Sequence, residues 1–511
     1  MILVYFGMMR PIIQLFGQLL APTARRFHQA LDDPESMQTS VQREICDRLI
    51  ATPYGKALGI NSIADWERVP IVDYDTLAPW FGKPEKHHQG QSISLTPEPI
   101  LFYEKTSGSS GAVKWIPYTQ SLRRSFNQMF CVWAHDLIAN GPKFSTGKLY
   151  ACISPQLNQS NSPSLQDDLD YLDGWLRWFL RPWLVMPNGL NRLHDPQQFK
   201  HQLALALLQA ETLEIISIWS PSFLQVHLKY IQENHELLRG ELQGRISRDR
   251  LQLLGDNIPW TQLWPSLKLI SCWDSANAAD QAKGLRSQFP NVLIQGKGLL
   301  ATEAPMTIPL IAAQGYVPVL DEVFFEFEDD TGSLYKLHEL SIGQEYTIIL
   351  SQKGGLYRYR IGDRIRVTHY YHNTPCLEFL GRHPAVSDLV GEKLQENFVH
   401  QALNSINLQG THFKSLVPIA DPPQYILLLD TAQETPEILA QQLDQALSQS
   451  HHYHRARSLG QLAPPKVFIS QHTPEILALH RAHNGSVWGG IKHQILATSP
   501  ISTELLQKLQ M

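Results

Sequence analysis

The sequence predicts an α/β protein with mixed sheets, and three features carry that reading. Short β-rich runs such as Ile100–Tyr103, Lys148–Ile153, Leu267–Cys272 and Tyr346–Leu350 alternate with longer helical patterns such as Gln197–Ala210 and Ser222–Leu238. A chain of 511 residues, 43% hydrophobic and 18% charged, can bury at least one large core, which excludes a disulfide miniprotein and a disordered chain. The last stretch, about 120 residues, repeats the alternation on the scale of a small α+β domain.

In chain order, Met1–Met9 and Ile12–Leu20 are apolar, but Arg10-Pro11 separates them and Gln14 and Gln18 dilute the second. Neither reaches the roughly 20 apolar residues of a membrane span, and no small-residue cleavage site follows cleanly. Helical spacing over Phe27–Leu49 predicts an opening helical subdomain, stopped by the turn residues Thr52-Pro53-Tyr54-Gly55. From about Asp388 come a helical pattern over Glu392–Leu403, a strand at Tyr425–Leu429, a helix opened by Thr435-Pro436-Glu437 and a strand at Lys466–Ser470. Thr435 can cap that helix, with Pro436 at the first position, where its missing N–H costs nothing. The expected division is therefore 1–387 and 388–511. The TPEILA run at Thr435 and again at Thr473 is two copies of a good helix start, too short for a repeat architecture.

With 43 Lys and Arg against 48 Asp and Glu, the net charge of -5 lacks the basic excess of a nucleic-acid binder. Small-molecule chemistry is the better expectation. The five cysteines, Cys46, Cys131, Cys152, Cys272 and Cys376, form neither a CxxC pair nor a zinc spacing and read as reduced thiols of a cytoplasmic protein.

Chemistry concentrates in four segments. In Thr106-Ser107-Gly108-Ser109-Ser110-Gly111, followed by Lys114 and Pro117-Tyr118-Thr119, glycines let backbone N–H groups approach an anion, hydroxyls add donors and a lysine adds charge. It is no Walker A loop, since GxxxxGK[ST] is absent, and TSGSSG alone reads first as a flexible surface loop; the Lys114 and Pro117-Tyr118-Thr119 that follow move the balance toward an anion site. Gln295–Ala304 ends in Thr302 and Glu303, a hydroxyl beside a carboxylate of the kind a hard Mg²⁺ ion takes. Gly354–Val367 alternates large residues with arginines around Gly362-Asp363, as a strand with a Gly-Asp hairpin turn would. Asn484–His493 is a glycine-rich loop with Lys492 just after it.

Together these segments resemble the auxin-responsive promoter family of acyl-acid-amido synthetases, within the wider acyl-adenylate-forming superfamily. The resemblance begins at Phe27–Gly55 and Val69–Asp75 and runs through Thr106–Thr119, the LYRYRIGD stretch ending at Asp363, and Phe379–Arg382. It implies a large adenylate-forming domain with a β-barrel-like subdomain and a small mobile C-terminal domain. It also implies ATP held by Thr106, Ser107, Gly108, Ser109, Ser110, Gly111 and Lys114, a Mg²⁺ ion at Glu303 and the adenylate at Thr302. Asp363 would take the ribose hydroxyls, Arg382 would reach the adenylate, and Lys492 would enter the site when the small domain closes. The substrates implied are a small carboxylic acid and an amine, commonly an amino acid. Plant members usually carry Tyr where this chain has Leu299, and a Lys followed by Pro-Arg where it has Lys492-His493-Gln494. Trp273 stands in a loop that the family runs beside adenine, and reads equally as core.

Rival readings stay open at this point: an acyl-CoA ligase sharing the first half-reaction, a serine amidase built on Gly108–Gly111, or a non-catalytic adenylate sensor. His451-His452-Tyr453-His454 reads as a solvated helix face rather than a metal site. The aromatics of Tyr171–Gly189 (Trp175, Trp178, Phe179 and Trp183) read first as core and second as pocket lining.

Overall fold

A computed structural model describes residues 2–81, 95–105, 114–151, 176, 178, 180–185, 187, 189–190, 193, 195–382, 385–483 and 490–510. The chain opens with helix α1, Ile2–Ala30, which runs through both Pro11 and Pro22. Each proline costs a backbone hydrogen bond, yet burial of Phe16, Leu20, Ala24 and Phe27 along one face keeps the helix continuous. Asp33 then accepts a hydrogen bond from Ser36 N and, with Pro34, starts α2, Pro34–Ile50. The helical opening expected over Phe27–Leu49 is thus made by two helices, separated by a cap at Asp33 that hydrophobic spacing alone does not register. No helix among the described residues is long and apolar enough to cross a membrane.

Two short helices, α3 (Pro53–Ala57) and α4 (Tyr74–Phe81), lead to the hairpin β1 (Phe102–Lys105) and β2 (Trp115–Tyr118), and α5 (Gln120–Asn140) follows, capped by Thr119. A parallel sheet is then assembled in the order β3 (Leu149–Ala151), β4 (Ile215–Ser217), β5 (Leu269–Cys272) and β6 (Leu293–Gly296). Helices fill its crossovers. Pro196–Gln209 matches the expected Gln197–Ala210 closely. The pattern Ser222–Leu238 proves to be two helices, Pro221–Glu233 and His235–Leu242, broken at Asn234. Their apolar faces pack on Ile216, Ile218 and Ile270 to form one of the main cores.

After β7 (Leu300–Ala301), β8 (Ala304–Pro305) and the pair β9 (Thr307–Leu310) and β10 (Gly315–Pro318) comes an antiparallel sheet. It contains β11 (Val323–Glu328), β12 (Leu334–Lys336), β13 (Glu345–Gln352), β14 (Leu356–Tyr371) and β15 (Thr374–Arg382), ordered β12-β11-β13-β14-β15. The barrel-like subdomain expected here is, in the described strands, an open five-stranded sheet with β12 and β15 at its edges. Gln38 on α2 ties to it through hydrogen bonds with Leu320 O, Val323 O and Phe325 N.

The last part pairs β16 (Val386–Ser387) with β17 (Leu394–Gln395) and builds a three-stranded sheet from β18 (Lys414–Ala420), β19 (Pro423–Leu429) and β20 (Lys466–Ile469). Thr435 caps Pro436–Leu447 as its sequence predicts, accepting from Ile438 N. Helix His451–Ser458 exposes His451, His452 and His454 and buries Tyr453, so the histidines form a solvated face. No group of three metal-ligating side chains occurs among the described residues.

Candidate active site

The site lies where the carboxyl ends of the parallel sheet meet the antiparallel sheet and the C-terminal segment. Asp363 owes its position to an irregularity in β14. Thr347 of β13 pairs with Arg364, and Ile349 with Arg360, so Ile348 faces three residues, Ile361, Gly362 and Asp363. Gly362, at φ +85°, supplies the left-handed backbone that such a bulge needs. The hairpin turn expected at Gly-Asp is thus a bulge within one strand of 16 residues. It presents Asp363, 3% exposed, to the neighbouring strand, where Arg382 Nε donates to Oδ1 at 2.7 Å.

Arg358, in the same LYRYRIGD stretch, is structural. Its guanidinium donates to both carboxylate oxygens of Glu326, at 3.0 and 2.9 Å, and to Val69 O at 2.9 Å. Val72 N donates to Arg358 O, and Arg360 N to Val72 O, so the Val69–Asp75 segment is laced along β14. That lacing carries Tyr74 to the β1–β2 hairpin, where Trp115 N donates to its phenol oxygen at 2.8 Å. Lys114 Nζ stands 5.4 Å from the Tyr74 ring centroid. Thr106, Ser107, Gly108, Ser109, Ser110 and Gly111 lie outside the described residues; Lys105 and Lys114 bracket them.

Glu303 follows β7 and is 4% exposed. Tyr118 donates from its hydroxyl to Thr302 O at 2.8 Å, fixing this turn to the hairpin. Upstream, Gly296 is required by space. A Cβ there would meet Tyr316 Oη at 2.0 Å and Asp274 Oδ1 at 2.1 Å, two groups already hydrogen-bonded to each other at 2.6 Å. Leu299 is buried in the core among Ala304, Met306 and Ile308.

Lys492 reaches the same place from the C-terminal segment. Arg481 holds its carbonyl at 2.9 Å, and Asn277 donates to His493 O at 3.2 Å and to Glu396 Oε1 at 2.9 Å. Lys414 pairs with Asp280 at 2.8 Å, and Lys200 with Glu475. These contacts fasten the C-terminal segment to the rest and set Lys492 Nζ 5.8 Å from the centroid of Trp273, which is half-buried.

Electrostatics tie the four charged groups into one cluster. Burial raises the Glu303 carboxyl above the ordinary carboxylate range; Arg382 and Lys492 oppose the rise, and Asp363 adds to it. Burial and Arg382 lower the Lys492 ammonium, against the pull of Asp363 and Glu303. Burial works against the Arg382 charge, but Asp363 and Glu303 outweigh it and the guanidinium is held above its usual value. A buried carboxylate with a raised pKa is a place where added positive charge is favourable.

The chain matches the GH3 family N-terminal domain over residues 23–294, the central domain over 316–382 and the C-terminal domain over 393–501. It belongs to the GH3 family. Indole-3-acetic acid-amido synthetase GH3.3 of Arabidopsis thaliana is 22% identical over 456 residues, covering 76% of each chain. Indole-3-acetic acid-amido synthetase GH3.2 of the same plant is 23% identical over 466 residues, covering 77% of this chain and 84% of that one. The solved structure of AtGH3.15 acyl acid amido synthetase in complex with 2,4-DB shares the fold, with a TM-score of 0.76 at 18% identity and 96% of each chain covered. Thr302 and Glu303 fall between the first two GH3 matches.

Sequence reasoning missed other residues near the cluster. Lys297 is 7% exposed, donates to Ser217 Oγ at 2.8 Å and stands 4.9 Å from the Trp219 ring centroid. Tyr359, beside Glu303 and Arg382, is buried with its phenol pushed up mainly by burial. Of the Tyr171–Gly189 aromatics, Trp183 lines a cavity and Trp178 is 78% exposed, so neither is the core residue expected; Tyr171, Trp175 and Phe179 lie outside the described residues. The four described cysteines are free and buried, and Cys152 lies outside them.

Proposed function

We propose that this chain is an ATP-dependent acyl-acid-amido synthetase that activates a small carboxylic acid as its adenylate and transfers the acyl group to an amine, an amino acid by the family's habit. The observation that carries this is the convergence of Glu303, Asp363, Arg382 and Lys492, from three distant segments, on one partly dry cluster.

A carboxylate must approach the α-phosphate of ATP, and two like unit charges 4 Å apart repel by roughly 4 kcal/mol at an effective dielectric of about 20. Lys492 and Arg382 place positive charge where that repulsion develops. Asp363 offers acceptor oxygens to the ribose diol, and the segment 106–111 with Lys114 offers donors to the phosphates. The products of this step are acyl-AMP and pyrophosphate. An amine then attacks the acyl carbon, the acyl–phosphate bond breaks and AMP leaves. Glu303 fits a Mg²⁺ ion, since its burial leaves the carboxylate short of positive charge and Mg²⁺ takes few protein ligands beside phosphates. Such an ion, when bound, would supply neutralisation of phosphate charge.

We assign 1–387 to adenylation and 388–511 to the part that delivers Lys492, in a cytoplasmic enzyme. The test is ATP–pyrophosphate exchange across a panel of carboxylic acids, followed by mass spectrometry of products with amino acids or coenzyme A as second substrate. Acid-dependent exchange and an amide product support the proposal. A thioester product would move the chain to the ligases that use coenzyme A, and exchange with no acid in a wide panel would reject the activity.

A further inference from the structure

Helix α1 is apolar on two sides. Ile13, Phe16 and Leu20 look inward and, with Leu137 of α5, line a cavity of about 180 Å³. A surface helix ordinarily turns a charged or polar face to water. Between Ile12 and Leu20, however, the exposed positions of α1 are Ile12, Gln14, Leu15, Gln18 and Leu19, and none is charged. Leu15 is 56% exposed and Leu19 61%. At 3.6 residues per turn, Ile12, Leu15, Leu19 and Pro22 fall within a sector of about 80°, so they form one stripe. Elsewhere among the described residues, exposed large apolar side chains occur one to an element, as protein surfaces normally carry them.

An aromatic ring adds to this surface. Leu176 and Leu180 pack with Phe16 and Leu20 in the small core beneath α1, while Trp178 between them is exposed. A solvent-facing indole therefore stands next to the helix that carries the stripe. Charge decides what covers this face. Arg10, Arg25 and Arg26 are exposed on α1, Arg26 in line with the stripe and Arg25 at its border, and Arg181 is exposed just past Leu180. Residues 1–31 contain no Asp or Glu. A second copy of the chain laid along this stripe would set arginines against arginines, with no acid on either helix to pair them. An anionic bilayer offers acyl chains to the leucines, phosphates to the guanidiniums and a headgroup layer to the indole.

We propose that α1 docks on an anionic phospholipid surface, with Ile12, Leu15 and Leu19 sunk to the boundary between headgroups and acyl chains, Trp178 anchored beside them, and Arg25 and Arg26 on lipid phosphates. The helix lies on the membrane rather than across it, since no helix among the described residues is long and apolar enough to cross. This stands apart from the adenylation reading: it gives the protein a surface to work on, not a reaction.

The experiment is flotation of the full chain with vesicles of phosphatidylglycerol in phosphatidylcholine, and with phosphatidylcholine alone, read as a partition coefficient. The wild type binds the anionic vesicles more tightly, by about fivefold for each arginine near the leaflet, and the advantage shrinks as salt is added. Joint Leu15→Gln and Leu19→Gln substitution lowers partition about 25-fold or more, each half-exposed leucine being worth about fivefold to tenfold. Joint Arg25→Gln and Arg26→Gln substitution lowers it about 25-fold on anionic vesicles and leaves the value on phosphatidylcholine unchanged. Trp178→Ala weakens binding to both. Leu459→Gln, at an exposed leucine that ends helix His451–Ser458, changes neither. Should the leucine pair fail to fold, the arginine pair and Trp178→Ala carry the test. A wild type that stays unbound, or a leucine pair that partitions like the wild type, overturns the inference. So does a dimer in sedimentation that the leucine pair breaks while no vesicle is bound, which would give the face to a second copy.

Discussion

Replacing Asp363 with Asn changes one charge and almost no volume, so it isolates what that carboxylate does. At 3% exposure and 2.7 Å from Arg382 Nε, it is a desolvated, charge-assisted partner. Hydrogen bonds to a charged group contribute about 1.5–3 kcal/mol against about 1 for neutral ones, so losing the charge toward two ribose hydroxyls costs about 2–3 kcal/mol. At about 1.4 kcal/mol per decade, that is a 30- to 150-fold loss of ATP affinity. A second consequence follows from the cluster. Asp363 raises the Lys492 pKa and Arg382 lowers it, so Asn at 363 leaves Lys492 still easier to deprotonate. The assay is acid-dependent pyrophosphate exchange as a function of ATP and of pH, with the same Asp363→Asn protein titrated with AMP by calorimetry. An ATP KM within twofold of wild type, with the alkaline limb unmoved, would refute the assignment.

Other predictions concern the same framework. Because burial and Arg382 lower the Lys492 ammonium, exchange should fall with rising pH below the ordinary lysine value of about 10.4, and Lys492→Arg should shift that limb upward; a limb identical in both proteins would exclude Lys492 as its origin. Asp321 is pushed up to about 7 by burial and by Glu322. It is protonated in the fold while an unfolded aspartate ionises near 3.9, so stability declines as pH rises from about 4 to 7. Asp321→Asn should melt higher than wild type at pH 8 and equally at pH 4, and an equal melting temperature at pH 8 contradicts this. Arg358→Met strands a buried Glu326 and should cost about 3–5 kcal/mol by denaturant unfolding, with much of it recovered when Glu326 also becomes Met; a single variant as stable as wild type would show that the pair is not a strut.

How much of this the sequence disclosed depends on the range of the determining interaction. Asp363 and Arg382 could be singled out from the LYRYRIGD and Phe379–Arg382 stretches, and Glu303 and Lys492 from single residues in segments that resemble the family less closely; that the four stand near one another is visible only in the fold. The Thr435 cap was legible because capping is decided within four residues. The bulge at Gly362 was not, since a glycine and an aspartate in sequence specify a turn or a bulge equally well until β13 supplies its register. Nor was the unbroken course of α1 through two prolines, which depends on burial against α5 and the sheet. Lys297 escaped notice because its partners, Ser217 and Trp219, are about 80 residues away and meet it only when β4 and β6 take their places in the parallel sheet. Trp178 shows the converse: an aromatic-rich stretch suggests core, yet this ring faces solvent.

The most direct test is a crystal structure with a non-hydrolysable acyl-adenylate analogue bound. Our account puts the ribose diol on Asp363 and the phosphate between Lys492 and the Thr302-Glu303 turn. A nucleotide seated away from Asp363 and Lys492, at any other surface of the protein, would contradict it.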